Sequence, residues 1–234
     1  MNVQNSNYKI INNRTNCYLN SVLQIFLNTN IKDKIFSKIV FKDSNVIDPI
    51  NFLGMLSDTM NIHKQNDAQE AFIKIIDKLP ELKEYFIGKY NIKLKCLVCN
   101  TSRRTTEDFL TIDIYTENIT NSILEFLKKE EFNLECDKCK SICKTSKKYS
   151  FNTLPNILIL YNIFKLNLNI TNGLIINNDN YRLIGIIKHF GERNFGHYTY
   201  FNFTNNLEYN DTIISKHESI NNENSYLIIY NKFF

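Results

Sequence analysis

Hydrophobic spacing changes character partway along this chain, and that change limits the fold more than any other feature. Up to Pro80 the apolar residues recur at the 3.6-residue period of helices; beyond it most apolar runs are short and strand-like. Leu19, Val22, Leu23, Phe26 and Leu27 predict a helix over 17–28, entered from the polar, irregular stretch 9–16. Phe52, Leu53 and Leu56 predict a second helix within 48–61. A third begins near Asn66, with Gln69 placed as in a capping box, and stops at Pro80. Residues 89–96, 105–115, 157–164, 181–190, 198–203 and 226–230 read as strands. Between them lie a short amphipathic helix over 119–129 and a charged, cysteine-bearing stretch over 135–148. Helices first and strands later argue for an α+β fold, not an alternating βαβ one. With 234 residues and no internal repeat, the chain suits one large domain or two small ones.

Charge excludes some functions. The net charge is +4 with lysines spread along the chain, and no dense basic arm suggests nucleic-acid binding. The heavy use of Asn, Ile and Lys reads as AT-rich coding. No charged-then-apolar leader opens the sequence, and the apolar run 154–164 is too short and interrupted to span a bilayer. The expectation is a soluble monomer of the cytosol or nucleus, with no membrane or nucleic-acid partner.

In such a compartment six cysteines point to metal or catalysis before disulfides. Cys96-x-x-Cys99 and Cys136-x-x-Cys139 supply four thiolates, the donor set of tetrahedral Zn²⁺, with no ligand position left open and hence a structural role. Cys143 is spare: a free structural thiol, or a substitute for one ligand.

Cys17 stands apart, where a loop enters a helix. Unpaired N–H groups and the positive dipole end at such a place favour a thiolate, the form that attacks carbonyls. Taken alone, a cysteine there is more often an ordinary buried residue. A thiol nucleophile also needs an imidazole base. His63 and His217 lie in polar stretches and read as solvated surface. The segment 181–198 reads as a strand, a turn containing Gly191 and a return strand, and carries His189 and His197.

The string Asn12-Asn13-Arg14-Thr15-Asn16-Cys17-Tyr18-Leu19-Asn20-Ser21-Val22-Leu23-Gln24 resembles the cysteine box of the ubiquitin-specific proteases, which are papain-like cysteine proteases. The run from His189 through Gly191 to Gly196-His197-Tyr198 resembles their histidine box, and Tyr209-Asn210-Asp211 the acidic motif after it. Gln65-Asn66-Asp67-Ala68-Gln69-Glu70 resembles a further box. Leu154 to Leu160 and Ser225 to Tyr230 resemble strands of the palm sheet. The matches run in family order from Asn12 to Tyr230.

The resemblance implies a helical thumb over about 10–88, zinc-clipped fingers over about 89–152 and an antiparallel palm over about 153–232. The fingers and surface loops would be reduced, with no accessory domain. It implies Cys17 as nucleophile, His197 as base, Asn210 as its orienter and Asp211 as a secondary acid. Asn12 would donate to the oxyanion. His189, Gly191 and Tyr198 would flank the channel for the ubiquitin tail, and Gly196 would keep the wall low beside the base. Asp67 and Glu70 would meet tail arginines, although a negative first helical turn also suits the helix dipole. Arg14 departs from the family, which usually has Gly there, and so bears on the loop geometry. The implied activity is hydrolysis after the terminal glycine of ubiquitin or a relative.

Overall fold

The computed structural model describes residues 7–13, 15–192, 195–218 and 222–233; Arg14 lies outside them. Among these residues the α-helices are α1 (Cys17–Leu27), α2 (Lys32–Ile35), α3 (Ile50–Leu56), α4 (Ala68–Lys78), α5 (Lys83–Phe86) and α6 (Ile119–Phe126). The strands open with β1 (Lys9–Ile10), β2 (Val40–Asp43), β3 (Val46–Asp48), β4 (Gly88–Cys96), β5 (Ser102–Phe109), β6 (Thr111–Ile114), β7 (Glu130–Cys136) and β8 (Ser141–Thr153). They continue with β9 (Ile157–Asn162), β10 (Gly173–Ile176), β11 (Asp179–Glu192), β12 (Phe195–Asn202), β13 (Leu207–Asn210), β14 (Ile213–Lys216) and β15 (Ser225–Phe233).

The helical lobe is organised by α1, which is buried along its whole length between α4 and the strands β12 and β13. Phe26 of α1, Phe72 of α4 and Phe86 of α5 meet edge and face, with Phe72 and Phe86 centroids 5.1 Å apart. The α4 helix starts one residue later than its pattern suggested. Its N-cap is Asp67, not Asn66: the carboxylate accepts from the backbone N–H of Gln69 and of Glu70. The second expected helix is also shorter. Asp48 closes β3 and turns its carboxylate onto the Ile50 N–H, so only Ile50–Leu56 winds up.

The large sheet runs β14-β13-β12-β11-β15-β9-β6, with β10 on the flank of β11; β6 pairs parallel with β9 and the rest antiparallel. Both faces are covered. Ile157, Ile159, Leu227 and Ile229 point to the helical lobe, while Leu158, Leu160, Ile228 and Tyr230 point to a second core that includes Ile119 and Ile123 of α6. This explains why β9 and β15 read as unbroken apolar runs instead of alternating ones. A separate four-stranded sheet, β5-β4-β8-β7, carries the cysteine pairs at its end.

The expected strand over 105–115 is two strands. Ser102–Phe109 belongs to the small sheet, and after Leu110 the chain crosses so that Thr111–Ile114 joins the large one. Residues 111–126 therefore pack with the large sheet although they fall inside the range expected for the fingers. The charged stretch 135–148 is largely the β7–β8 hairpin. The short strands β1 to β3, β10, β13 and β14 gave no clear alternation. No helix among the described residues is long and apolar enough to cross a membrane.

Candidate active site

Cys17 is the first residue of α1 and only 3% exposed. The N-cap residue, Asn16, does not cap the helix with its side chain. Its carboxamide turns back instead, accepting from the Asn13 N–H at 2.7 Å and donating to the Ile11 carbonyl and to Asn20 Oδ1. The first-turn N–H groups beside the sulfur are thus free of a side-chain cap and available to negative charge.

Strand β12 carries His197 opposite Phe190 of β11, and pairs on its other edge with β13, whose last residue is Asn210. His197 Nε2 lies 2.7 Å from Asn210 Oδ1. A carbonyl oxygen only accepts, so Nε2 carries the hydrogen and Nδ1 is left for the thiol. The hydrogen bond with the Cys17 thiol is the main force pushing His197 up to about 9; burial opposes it, and Asn210 adds to it. The Cys17 thiol and the Asn210 carboxamide, 193 positions apart by their numbers 17 and 210, both act on the His197 ring.

Asp211 adopts a left-handed backbone with φ of 54° and sits one residue past the orienter. Its two carboxylate oxygens each accept at 2.7 Å, one from Asn12 Nδ2 and one from Asn20 Nδ2. Asn12 Oδ1 in turn receives the Asn16 N–H at 3.2 Å. Asp211 therefore anchors the Asn12 carboxamide beside the nucleophile, with one of the two amide hydrogens of Asn12 committed to it and the other without a partner among the described residues. The negative charge of Asp211 also contributes to the upward shift of His197.

A cleft of about 1020 Å³ opens beside this chain, lined in part by Thr15, Gln65, Asp67, Glu70, Tyr161 and Phe195. His63 is exposed on the same lining rather than remote from the site. Asp67 is not a free carboxylate. Beyond its two cap bonds, the remaining oxygen receives the Tyr226 hydroxyl. Glu70 is exposed, with Lys74 at 3.6 Å.

A neighbouring cavity of about 400 Å³ is lined by Asp67, His189, Gly191, Tyr198 and Tyr226 among others. His189 is 2% exposed, stacks on Tyr198 at 4.2 Å, and keeps both ring nitrogens without a hydrogen-bond partner among the described residues. Burial, then the nearby Lys165 charge, pull it down to about 4, so it is neutral where His197 is charged. Gly196 serves this ring. A Cβ there would stand 2.3 Å from His189 Nε2 and 2.4 Å from the Phe190 carbonyl oxygen. The bare Cα of Gly196 is what leaves room for the His189 ring.

The Sγ atoms of Cys96, Cys99, Cys136 and Cys139 lie within 4.8 Å of one another. Cys99 and Cys136 are 3.6 Å apart, close to the ~3.8 Å separation of two thiolates on a tetrahedral ion with 2.3 Å metal–sulfur bonds. Bonds from Thr101, side chain first and then backbone, hold the Cys99 thiol down at about 6, favouring the form a metal binds. The four residues fit a soft, four-coordinate metal ion.

Some residues that build the site had no assigned role from sequence. Asn16, Asn20, Gln24 and Asn28 follow one another every four residues along the α1 face, and their amides lace the helix to the incoming loop and the sheet. That polar stripe at helical spacing was the available signal. Gln65 clips the helical lobe to the sheet: its amide donates to the Gly196 carbonyl and accepts the Gly196 N–H at 3.0 Å. Tyr226, through Asp67 and through Tyr161 at 3.3 Å, makes a second clip. Nothing local in sequence marks either.

A thiol, an imidazole and an amide brought together in this way form the kind of group that nucleophilic cysteine chemistry uses. The sequence model of the ubiquitin carboxyl-terminal hydrolase family matches residues 8–230, and the chain belongs to that family. It is 24% identical over 199 residues to ubiquitin carboxyl-terminal hydrolase 47 of Drosophila melanogaster, covering 65% of this chain but only 13% of that protein. In fold it is similar to a chain of the SAGA Ubp8/Sgf11/Sus1/Sgf73 DUB module bound to ubiquitin aldehyde. That likeness has a TM-score of 0.82 and 19% identity over 99% of this chain and 71% of that one. The same module bound to monoubiquitin gives a TM-score of 0.80, again with 19% identity and the same coverage.

Proposed function

We propose that the chain is a thiol-dependent deubiquitinase, cleaving the isopeptide or peptide bond after the C-terminal glycine of ubiquitin. The observation that carries this reading is the convergence of Cys17 and Asn210 on the His197 ring in a member of this family. Cys17 sulfur adds to the scissile carbonyl as His197 holds the thiol proton. The oxyanion is met by the uncommitted N–H of Asn12 and by the first-turn N–H groups of α1, a contribution of a few kcal/mol to the barrier. His197 gives its proton to the departing amine, leaving a thioester. Water then attacks, losing a proton to His197, and ubiquitin leaves with a free carboxylate while the thiol is restored.

Glu70, more exposed than Asp67, takes a tail arginine, and Asp67 sets the start of α4 beneath it. His189, Gly191, Tyr198 and Gly196 form the far wall of the tail channel. The metal of the four-cysteine cluster is Zn²⁺, held structurally at the tips of the fingers by Cys96, Cys99, Cys136 and Cys139. The protein acts as a monomer in the cytosol or nucleus. Ubiquitin-bound structures of similar fold support ubiquitin as the partner.

The test is ubiquitin carrying a thiol-reactive electrophile at its C-terminus, with a Cys17→Ala control and parallel probes built on other ubiquitin-like modifiers. The expected result is a covalent adduct with the ubiquitin probe that needs Cys17. Tight binding without an adduct would mark a non-catalytic binder, and an adduct only with another modifier would reassign the substrate.

A further inference from the structure

One face of the small sheet is already covered: Tyr90 and Ile92 of β4 point to the second core, beside Phe126 of α6. Side chains alternate along a strand, so Lys93 and Lys95 point to the opposite face. There the register sets Lys93 directly between Arg104 of β5 and Lys148 of β8. Lys95 is the next residue of β4 on that face and lies between Ser102 and Ser146. Arg104, Lys93 and Lys148 are exposed, and none of the four cations has a carboxylate partner among the described residues. Nearby acids are engaged elsewhere: Asp108 with Lys89 at 3.1 Å, and Glu131 with Lys129 at 2.6 Å and Lys144 at 2.9 Å. Like charges directly opposed across strands are destabilising. Charge on an edge strand guards against stray pairing, but Lys93 and Lys148 belong to the inner strands β4 and β8, where no edge needs guarding. Further along β8, on the same face, Ile142 is 76% exposed.

We infer that this face is a docking surface for an extended acidic segment of a partner protein other than ubiquitin. Carboxylates on alternate residues of the segment meet Lys95 and the row Arg104, Lys93 and Lys148, and an apolar side chain beyond them covers Ile142. Alternate side chains of an extended chain stand about 6.8 Å apart, the same interval that separates Lys93 from Lys95 along β4. The carboxylates also relieve the repulsion within the row, so docking removes a cost that the free protein carries. A nucleic acid fits this face less well. No aromatic ring stands among the four cations for bases to stack on, and Glu135, opposite Ile142, repels a phosphate backbone carried on past them. The inference does not rest on the hydrolase reading, since none of these residues lines the catalytic cleft.

The full chain is titrated into a fluorescent peptide in which Glu alternates with Ser and a Leu follows, and anisotropy is read at low and at high salt. The peptide should bind at low salt and weaken at high salt, and a version with Gln in place of Glu should not bind. Lys93→Glu should weaken binding about tenfold or more. Its Tm should equal or exceed that of wild type, because two like-charge contacts become unlike ones. Lys34→Glu, on the exposed surface of α2, changes the net charge equally and should bind as wild type does. Absence of binding at low salt, an equal loss in Lys34→Glu, or a lower Tm in Lys93→Glu overturns the proposal. So does a single-stranded oligonucleotide of equal charge that binds as tightly as the peptide or more so. Adduct formation with the ubiquitin probe should be unchanged in Lys93→Glu; a slower reaction would give the face to ubiquitin itself and likewise overturn the proposal.

Discussion

The catalytic cleft and the cysteine-bearing tip of the small sheet use the same side chain in opposite ways. Around Cys17 the fold does the positioning. The α1 helix is buried on every side, the incoming loop is tied down by Asn16, Asn20 and Asp211, and Gln65 and Tyr226 fasten the helical lobe to the large sheet. At the tip of the fingers the cysteines must do the positioning themselves. The core there consists of cysteines alone, and all but one residue of β5 and most of β7 are exposed. The Cys17 thiol is set into a rigid frame, whereas the four clustered thiols stand where the frame is weakest.

The sharpest break between the two regions should come from removing the metal proposed for the four-cysteine cluster. Binding free energies for structural sites of this donor set reach about 10 kcal/mol or more, and that amount is local folding energy. Chelation should raise hydrogen exchange at the ends of β4, β7 and β8. It should stop at the aromatic cluster of Tyr90, Phe109, Phe126 and Phe151 that seals the base of the small sheet. Exchange in α1 and β12 should hold, and Cys17 should still react with a small alkylating agent. Concerted exchange of the whole chain on chelation would show that the two regions are one folding unit. His197→Ala should do the reverse: turnover falls by ~10³-fold or more, about 4 kcal/mol in barrier, with metal content unchanged.

The next effect in size probes the frame itself. Gly196→Ala forces a methyl group into the His189 ring and the Phe190 carbonyl, and the ring is too enclosed to step aside. Overpacking of this kind costs about 2–3 kcal/mol, read as a fall in Tm. Turnover should drop with it, because Gly196 carries the Gln65 clip next to the base. An unchanged Tm would mean that the wall around His189 is soft, and the contrast with the fingers would weaken.

What was legible beforehand follows the same division. Cys17, His197 and Asn210 could be singled out because each sits in a recognisable string, and the four cysteines that the structure clusters because their spacing matches a tetrahedral donor set. The tandem amides of α1 were visible as spacing but lay inside a helix whose apolar pattern already explained it. The clips made by Gln65 and Tyr226 join residues 131 and 159 positions apart, and no local pattern records such a meeting. Asp67 was misplaced for a related reason. Asn66 and Asp67 are both good caps, and only the docking of Tyr226 onto Asp67 shows which one the tertiary structure holds. The strand over 105–115 misled because composition does not change where the chain leaves one sheet for another.

The smallest expected effect concerns Asn210, and it comes with a pH signature. His197 in the folded protein titrates at about 9, above the ~6.5 of a free imidazole, chiefly because of its bond with Cys17. A raised folded pKa means the charged ring adds stability that is complete below about 6.5 and is lost as pH rises through about 9. Activity should fall over the same alkaline range, since the ring that has lost its proton cannot protonate the leaving amine. In Asn210→Ala the Cys17 bond remains, so the alkaline limb should move down in pH without reaching the free-imidazole value. Turnover should drop about tenfold, matching a hydrogen bond to a charged group of ~1.5 kcal/mol. Cys17→Ala, which removes the larger cause, should lower the His197 titration further when followed by NMR, because burial then acts with less opposition. A limb that stays put in Asn210→Ala would show that the ring is held by the sheet alone, and that the frame around the cleft needs no third side chain.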